Sequence, residues 1–88
     1  MLIENITLSN KLGLHTRAAA KLVELSSRFN SQIELSLDSK RVNAKSILNV
    51  MLLSAGSGSQ VTITITGADE NEAMTALKAL FHSNFGEE

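Results

Sequence analysis

Val61-Thr62-Ile63-Thr64-Ile65-Thr66-Gly67, followed two residues later by Asp69, decides the fold of this chain. Val61, Ile63 and Ile65 alternate with threonines up to Gly67, the period of a strand with one buried face and one polar or partly covered face. Asp69, with Glu72 three positions on, resembles a capping box. Ala73, Met74, Leu77, Leu80 and Phe81 then repeat at helical spacing until Gly86, so a strand leads directly into the closing helix.

Upstream, Ile33, Leu35 and Leu37 alternate with Gln32, Glu34 and Ser36, and Asp38-Ser39 turns the chain toward a short strand around Lys40 to Asn43. This pattern predicts a hairpin. Ser46 is a good N-cap for a short helix through Leu53, and Ser54-Ala55-Gly56-Ser57-Gly58-Ser59 is a loop. That short helix has almost no polar face. Ile47, Leu48, Val50, Met51, Leu52 and Leu53 surround more of it than a small sheet covers, so two or three should stay exposed as a docking patch. The alternative is that all six lie in the core. Nearest the N-terminus, Leu2, Ile6 and Leu8 share one strand face interrupted by Glu4, and Asn10-Lys11-Leu12-Gly13 is a polar turn. From Thr16 to Phe29, Leu22, Leu25 and Phe29, with Ala18 a turn earlier, form an apolar stripe opposite Lys21, Glu24 and Arg28. The order is β-α-β-β-α-β-α. A four-stranded sheet with one face covered by helices buries every stripe and leaves its other face solvated.

Composition narrows the function. Eighty-eight residues with 43% hydrophobic content fit one domain over residues 1–88, and the absence of cysteine excludes disulfides and thiolate metal sites. A net charge of −1, no Trp or Tyr and only three Phe argue against a nucleic-acid surface. The longest apolar run, Val50 to Leu53, is too short to cross a bilayer, and Met1-Leu2-Ile3-Glu4 does not begin an export signal, so the chain reads as cytoplasmic. His15 and His82 have no metal-ligand spacing, and no cofactor motif is present. Gly56-Ser57-Gly58 lacks the lysine and following helix of a P-loop.

The chemistry concentrates in Gly13-Leu14-His15-Thr16-Arg17-Ala18, which sets a histidine where a helix begins. The first N–H groups of a helix lack internal partners, carry about half a positive charge and suit phosphate. They favour a neutral, nucleophilic imidazole, and once the ring is phosphorylated they face its negative charge, with Arg17 in reach as a charge-assisted donor. The plainer alternative makes His15 a helix cap and Arg17 a solvated surface charge. His82 is explained by the negative pole of the last helix. Ser46 is a cap whose hydroxyl is also accessible to a kinase.

These residues resemble the histidine phosphocarrier proteins of the bacterial phosphoenolpyruvate-dependent phosphotransferase system, HPr and its nitrogen-branch sibling NPr. Gly13-Leu14-His15-Thr16-Arg17 resembles the active-site motif, Lys45-Ser46-Ile47-Leu48 with Met51 and Leu52 the second motif, and Thr66-Gly67-Ala68-Asp69-Glu70-Asn71-Glu72 the approach to the last helix. The resemblance implies an α+β open-faced β-sandwich, its four-stranded antiparallel sheet covered on one face by three helices. It implies a monomeric phosphocarrier rather than an enzyme, taking a phosphoryl group on Nδ1 of His15 from enzyme I and passing it to enzyme IIA proteins. Arg17 would assist the phosphoryl group, and Ser46 would be the serine modified by an HPr kinase/phosphorylase. Ile47, Leu48, Met51 and Leu52 would form the docking surface. No metal, cofactor, nucleic acid or membrane insertion is implied. Thr16 stands where the family commonly has alanine, and Ala18 replaces the usual proline, restoring an N–H at the helix start. The tail from Ala79 to Glu88 is similar to the nitrogen-branch sibling, whereas Lys45-Ser46-Ile47 is similar to the sugar-branch carrier. The competing class is a small regulatory binding module that acts through the short apolar helix, without phosphoryl transfer.

Overall fold

The alternating stretch forms β4 (Gln60–Thr66), an inner strand pairing antiparallel with β1 (Leu2–Thr7) and β2 (Gln32–Leu37), in a computed structural model that describes residues 1–87. β2 pairs in turn with β3 (Lys40–Asn43), giving the strand order β1-β4-β2-β3. Three α-helices complete the α+β fold: α1 (Thr16–Ser26), α2 (Ile47–Leu52) and α3 (Glu70–His82). Val61, Ile63 and Ile65 are fully buried, as are Ile33 and Leu35 from β2 and Ala18, Ala19, Leu22, Ala73 and Leu77 from the covering helices. Each fully buried Val, Ile or Leu contributes about 1.5–3 kcal/mol from the area removed from water. The opposite sheet face carries Ile3, Asn5, Glu34, Ser36, Thr62 and Thr64, which are exposed or half-buried.

Two helices are shorter than their apolar stripes predict. α1 stops at Ser26 rather than Phe29, because Arg28 N–H turns to Leu25 C=O and Phe29 N–H to Ser26 C=O, tightening the last turn. Phe29 still packs half-buried against the core. α3 stops at His82 rather than running on toward Gly86, because Asn84 and Phe85 adopt left-handed φ values of 56° and 58° within a 3₁₀ turn over Asn84–Gly86. Of the six apolar residues around α2, four rather than two or three are exposed: Ile47, Leu48, Met51 and Leu52, against buried Val50 and Leu53. One short helix presents only a narrow face to the sheet.

The expected capping box does not form. Asp69 is the N-cap residue of α3, but its side chain makes no cap bond. Its carboxylate instead accepts from the N–H groups of Asn30 and Ser31 and from the Ser31 hydroxyl, so donors leading into β2 outcompete the helix. Glu70, not Glu72, bonds back, accepting from Gly67 N–H at 3.1 Å. Gly67 has φ +154°, and a Cβ there would lie 2.6 Å from Ser31 Cα, so the close approach of these two segments requires glycine. The Ser31 hydroxyl, followed by the Asn30 N–H, holds the Asp69 carboxyl below the usual carboxylate range.

A depressed carboxyl stabilises the fold above its ordinary titration range, and the contribution disappears as pH falls through the lowered value. Asp69→Ala should therefore lower the thermal midpoint at pH 7, with the gap to the unaltered protein closing as the pH is brought down through the carboxylate range. Thermal melts of both proteins across pH check this, and a gap constant with pH would remove the carboxylate's role.

Candidate functional site

The loop after β1 is held in place by backbone contacts. Gly13 N–H bonds to Asn10 C=O at 3.2 Å and Leu14 N–H to Ala55 C=O at 2.9 Å, with Leu14 buried. Gly13 has φ +65°, and a Cβ on it would lie 2.6 Å from Ala55 O, so this loop lies directly on the segment after α2. His15 follows as the N-cap residue of α1, with extended backbone (φ −77°, ψ 178°) and a carbonyl that accepts the first helical bond from Ala19 at 2.8 Å.

His15 thus caps with its backbone and not its ring. The side chain makes no cap bond; its Nε2 lies 2.5 Å from Glu87 Oε2, and the side chain is 25% exposed. Among the described residues Nδ1 has no polar partner, and neither do the N–H groups of Thr16, Arg17 and Ala18. Ala18 itself is fully buried, its methyl in the core, so this residue fills the core and also leaves an orphan donor at the helix start. Arg17 is exposed on the same shallow hollow of about 630 Å³ that His15, Leu12, Thr16 and Glu87 line.

Glu87 reaches His15 because the tail is anchored. Phe85 is buried against Phe81, with ring centroids 4.9 Å apart. Its carbonyl accepts from Lys21 Nζ at 2.7 Å, and Ser9 Oγ donates to Asn84 Oδ1 at 2.9 Å. Asn10, almost wholly buried, donates from Nδ2 to Glu87 Oε1 at 3.1 Å and to Gly13 O at 2.8 Å. Its Oδ1 has no partner among the described residues, an orphan of a kind that costs about 1–3 kcal/mol. The Asn10 amide, followed by the hydrogen bond from His15 and the charge of Arg17, holds the Glu87 carboxyl below its ordinary range. An ionised carboxylate only accepts hydrogen bonds, so Nε2 carries the proton and the lone pair of the neutral ring lies on Nδ1.

The sequence-predicted residues occupy two places. His15 and Arg17 share the hollow, while Ile47, Leu48, Met51 and Leu52 form the exposed face of α2. α2 packs against α1 and leads into Ala55, to which the His15 loop bonds. Ser46 caps α2, its hydroxyl accepting from Asn49 N–H at 3.5 Å. His82 lies elsewhere, in a groove with Glu4, Asn71 and Lys78. Asn10 and Glu87 were missed by sequence reasoning. Asn10 read only as a turn residue, and Glu87 lies 72 positions from His15 with no local pattern linking them. The Phe81 and Phe85 pair preceding it was the available signal that the tail is anchored. Among the described residues, no group of three or more His, Cys, Asp or Glu side chains could hold a metal ion, and no helix is long and apolar enough to cross a membrane.

Residues 3–83 match the protein family described as PTS HPr component phosphorylation site. The chain is 53% identical to a phosphocarrier protein HPr of Cupriavidus necator, over 99% of this chain and 98% of that one. It is 50% identical to a phosphocarrier protein HPr of Xylella fastidiosa, over 100% of this chain and 99% of that one. The crystal structure of HPr-C-His from Thermoanaerobacter tengcongensis superposes with a TM-score of 0.97 at 46% identity, covering 100% of this chain and 99% of that one.

Gly13→Ala should force the loop off Ala55 and into left-handed strain, at a cost of about 1–3 kcal/mol. Urea denaturation should show a lower midpoint at unchanged slope; an unchanged midpoint would mean that the loop has slack at Gly13.

Proposed function

The chain belongs to the HPr family of the phosphotransferase system, and on that premise we propose that His15 Nδ1 takes the phosphoryl group of enzyme I and passes it to enzyme IIA proteins. HPr is a phosphocarrier rather than a catalytic enzyme. The observation that carries the His15 assignment is the ring's disposition: Nε2 is occupied by Glu87, and Nδ1 has no partner among the described residues, at a helix start with orphan N–H groups. Transfer runs in line between two histidines through a loose transition state, so positioning and charge stabilisation outweigh acid–base chemistry. The orphan N–H groups and Arg17 supply positive charge to the phosphoryl oxygens.

Ile47, Leu48, Met51 and Leu52 form the docking surface for both partners, a reading supported by their joint exposure on α2. A Met-containing apolar face adapts to more than one protein. Ser46, half-buried at the start of this face, is the regulatory serine for a kinase of the HPr kinase/phosphorylase type. A phosphate there would add roughly −1.5 to −2 charges beside the docking residues and repel an acidic partner surface. The carrier works in the cytoplasm as a monomer over residues 1–88.

Incubation with phosphoenolpyruvate and enzyme I should add one phosphoryl group, acid-labile and alkali-stable, that vanishes in His15→Ala. No labelling of the unaltered protein would leave the binding-module reading standing instead. Met51→Glu should slow transfer from enzyme I and to enzyme IIA while the circular dichroism spectrum and thermal midpoint stay the same. Unchanged transfer rates would move the docking surface away from α2.

A further inference from the structure

We propose that Glu87, held by Asn10, is a positioning residue for the transfer: it fixes the proton of His15 on Nε2 and presents the lone pair of Nδ1 to the incoming phosphorus. The proposal rests on the reading of His15 as the phosphoryl acceptor. Its basis is the chain of contacts from Gly13 O through Asn10 Nδ2 to Glu87 Oε1, and from Glu87 Oε2 to His15 Nε2.

Asn10 is buried and directs both hydrogens of its amide at acceptors, while Oδ1 goes without a partner among the described residues. Rotating the amide would set that oxygen against the Gly13 carbonyl and the Glu87 carboxylate. Asn10 is therefore locked in the orientation that holds Glu87. Glu87 in turn cannot leave readily, because Phe85 is buried and its carbonyl is bonded to Lys21. A carboxylate fixed on one ring nitrogen of a histidine selects the tautomer, orients the ring and stabilises positive charge on it.

All three effects serve the reaction. The Nδ1 lone pair forms the new N–P bond as the P–N bond of the donor phosphohistidine breaks, and the donor ring regains its lone pair. The Nε2 proton stays on His15, so its ring becomes cationic as the bond forms. The Glu87 carboxylate then faces that new charge directly. On the return transfer the same contact holds the leaving ring in place while Nδ1 takes its lone pair back. Glu87 touches the ring at the nitrogen that does not react, which leaves the face at Nδ1 open to the partner.

The test measures the tautomer and the transfer separately. Long-range proton–nitrogen correlation spectra of ¹⁵N-labelled protein report which ring nitrogen of neutral His15 carries the proton, and enzyme I with phosphoenolpyruvate reports transfer. The unaltered protein should show the Nε2–H form. Glu87→Ala should raise the Nδ1–H share and slow phosphorylation by about 10-fold, the lower end of the loss when a partner that orients a metal-bound histidine is removed. Glu87→Gln keeps an acceptor for Nε2–H and should restore the tautomer, with only part of the rate, since its amide lacks the charge. Slower transfer in Glu87→Ala with an unchanged tautomer would overturn the proposal, as would normal transfer in that variant. Normal transfer to the unaltered protein alongside either result fails this proposal alone. Absence of any transfer to the unaltered protein fails the carrier reading itself.

Discussion

The buried face of β4 is the constraint on which the rest of the molecule depends. Val61, Ile63 and Ile65 are fully buried, and the strand that carries them separates β1 from β2. A chain passing from β1 to β2 must cross over β4, and α1 does so on the apolar side. The antiparallel register pairs Thr7 at the end of β1 with Gln60 at the start of β4, so the loops flanking α2 and α1 meet at one end of the sheet. Leu8 N–H to Ser59 C=O and Gly58 N–H to Leu8 C=O, at 2.8 and 2.7 Å, tie these loops together. From the far end of β4, α3 runs back for 13 residues, about 20 Å at 1.5 Å per residue, close to the length of a seven-residue strand. Its tail therefore arrives where α1 begins. The topology that buries three aliphatic side chains also brings Asn10, His15 and Glu87 together.

The parts of this arrangement that repeat locally were legible in the sequence. β2 and β4 could be read from alternation, β3 from the Asp38-Ser39 turn that follows β2, the bodies of α1 and α3 from their stripes, and α2 from the Ser46 cap one residue ahead of a hydrophobic run. The readings that failed did so where a distant group competed with a local one. Asp69 has the sequence of a helix cap, but Asn30 and Ser31 offer three donors from across the fold, and no pattern within the helix signals them. His15 was legible as a helix-start residue, whereas the partner of its ring was not, because that partner depends on where α3 ends. α2 shows a related limit. Its residues announce hydrophobicity, but the number left exposed depends on the narrow face the helix turns to its neighbours, which leaves four outside.

In the proposed reading, recognition and chemistry lie apart in space. Apart from Met1 and Ile3 in and beside β1, the exposed large apolar side chains are the four on α2 and Leu12 at the edge of the hollow. The charged and hydrogen-bonding groups gather around His15. The division has a physical reason, since an apolar face gains from burial against several different surfaces, whereas phosphoryl transfer needs fixed dipoles that do not reorganise as charge moves. The fixed dipoles here are backbone N–H groups of α1, held by a helix whose Ala18, Ala19 and Leu22 are wholly buried. A carrier that receives and releases the same group needs a site that binds it only moderately. On that reading, orphan N–H groups at the surface, with the exposed Arg17, would stabilise a phosphoryl group without enclosing it.

The end of α3 shows what it takes to bring the tail to His15. Asn84 and Phe85 are consecutive non-glycine residues in the left-handed region, each costing about 1–2 kcal/mol relative to right-handed backbone. Burial of the Phe85 ring returns about 1.5–3 kcal/mol, enough to offset much of that strain. Had the helix continued instead, as the apolar stripe up to Gly86 predicts, each further residue would have advanced along the helix axis. The left-handed pair reverses that course, turns Phe85 into the core and brings Glu87 back beside Asn10. The unpaired Asn10 oxygen lies at the same place. Strain in the tail and an orphaned acceptor in the loop thus converge on the contact to His15 Nε2, and burial of one phenyl ring supports both.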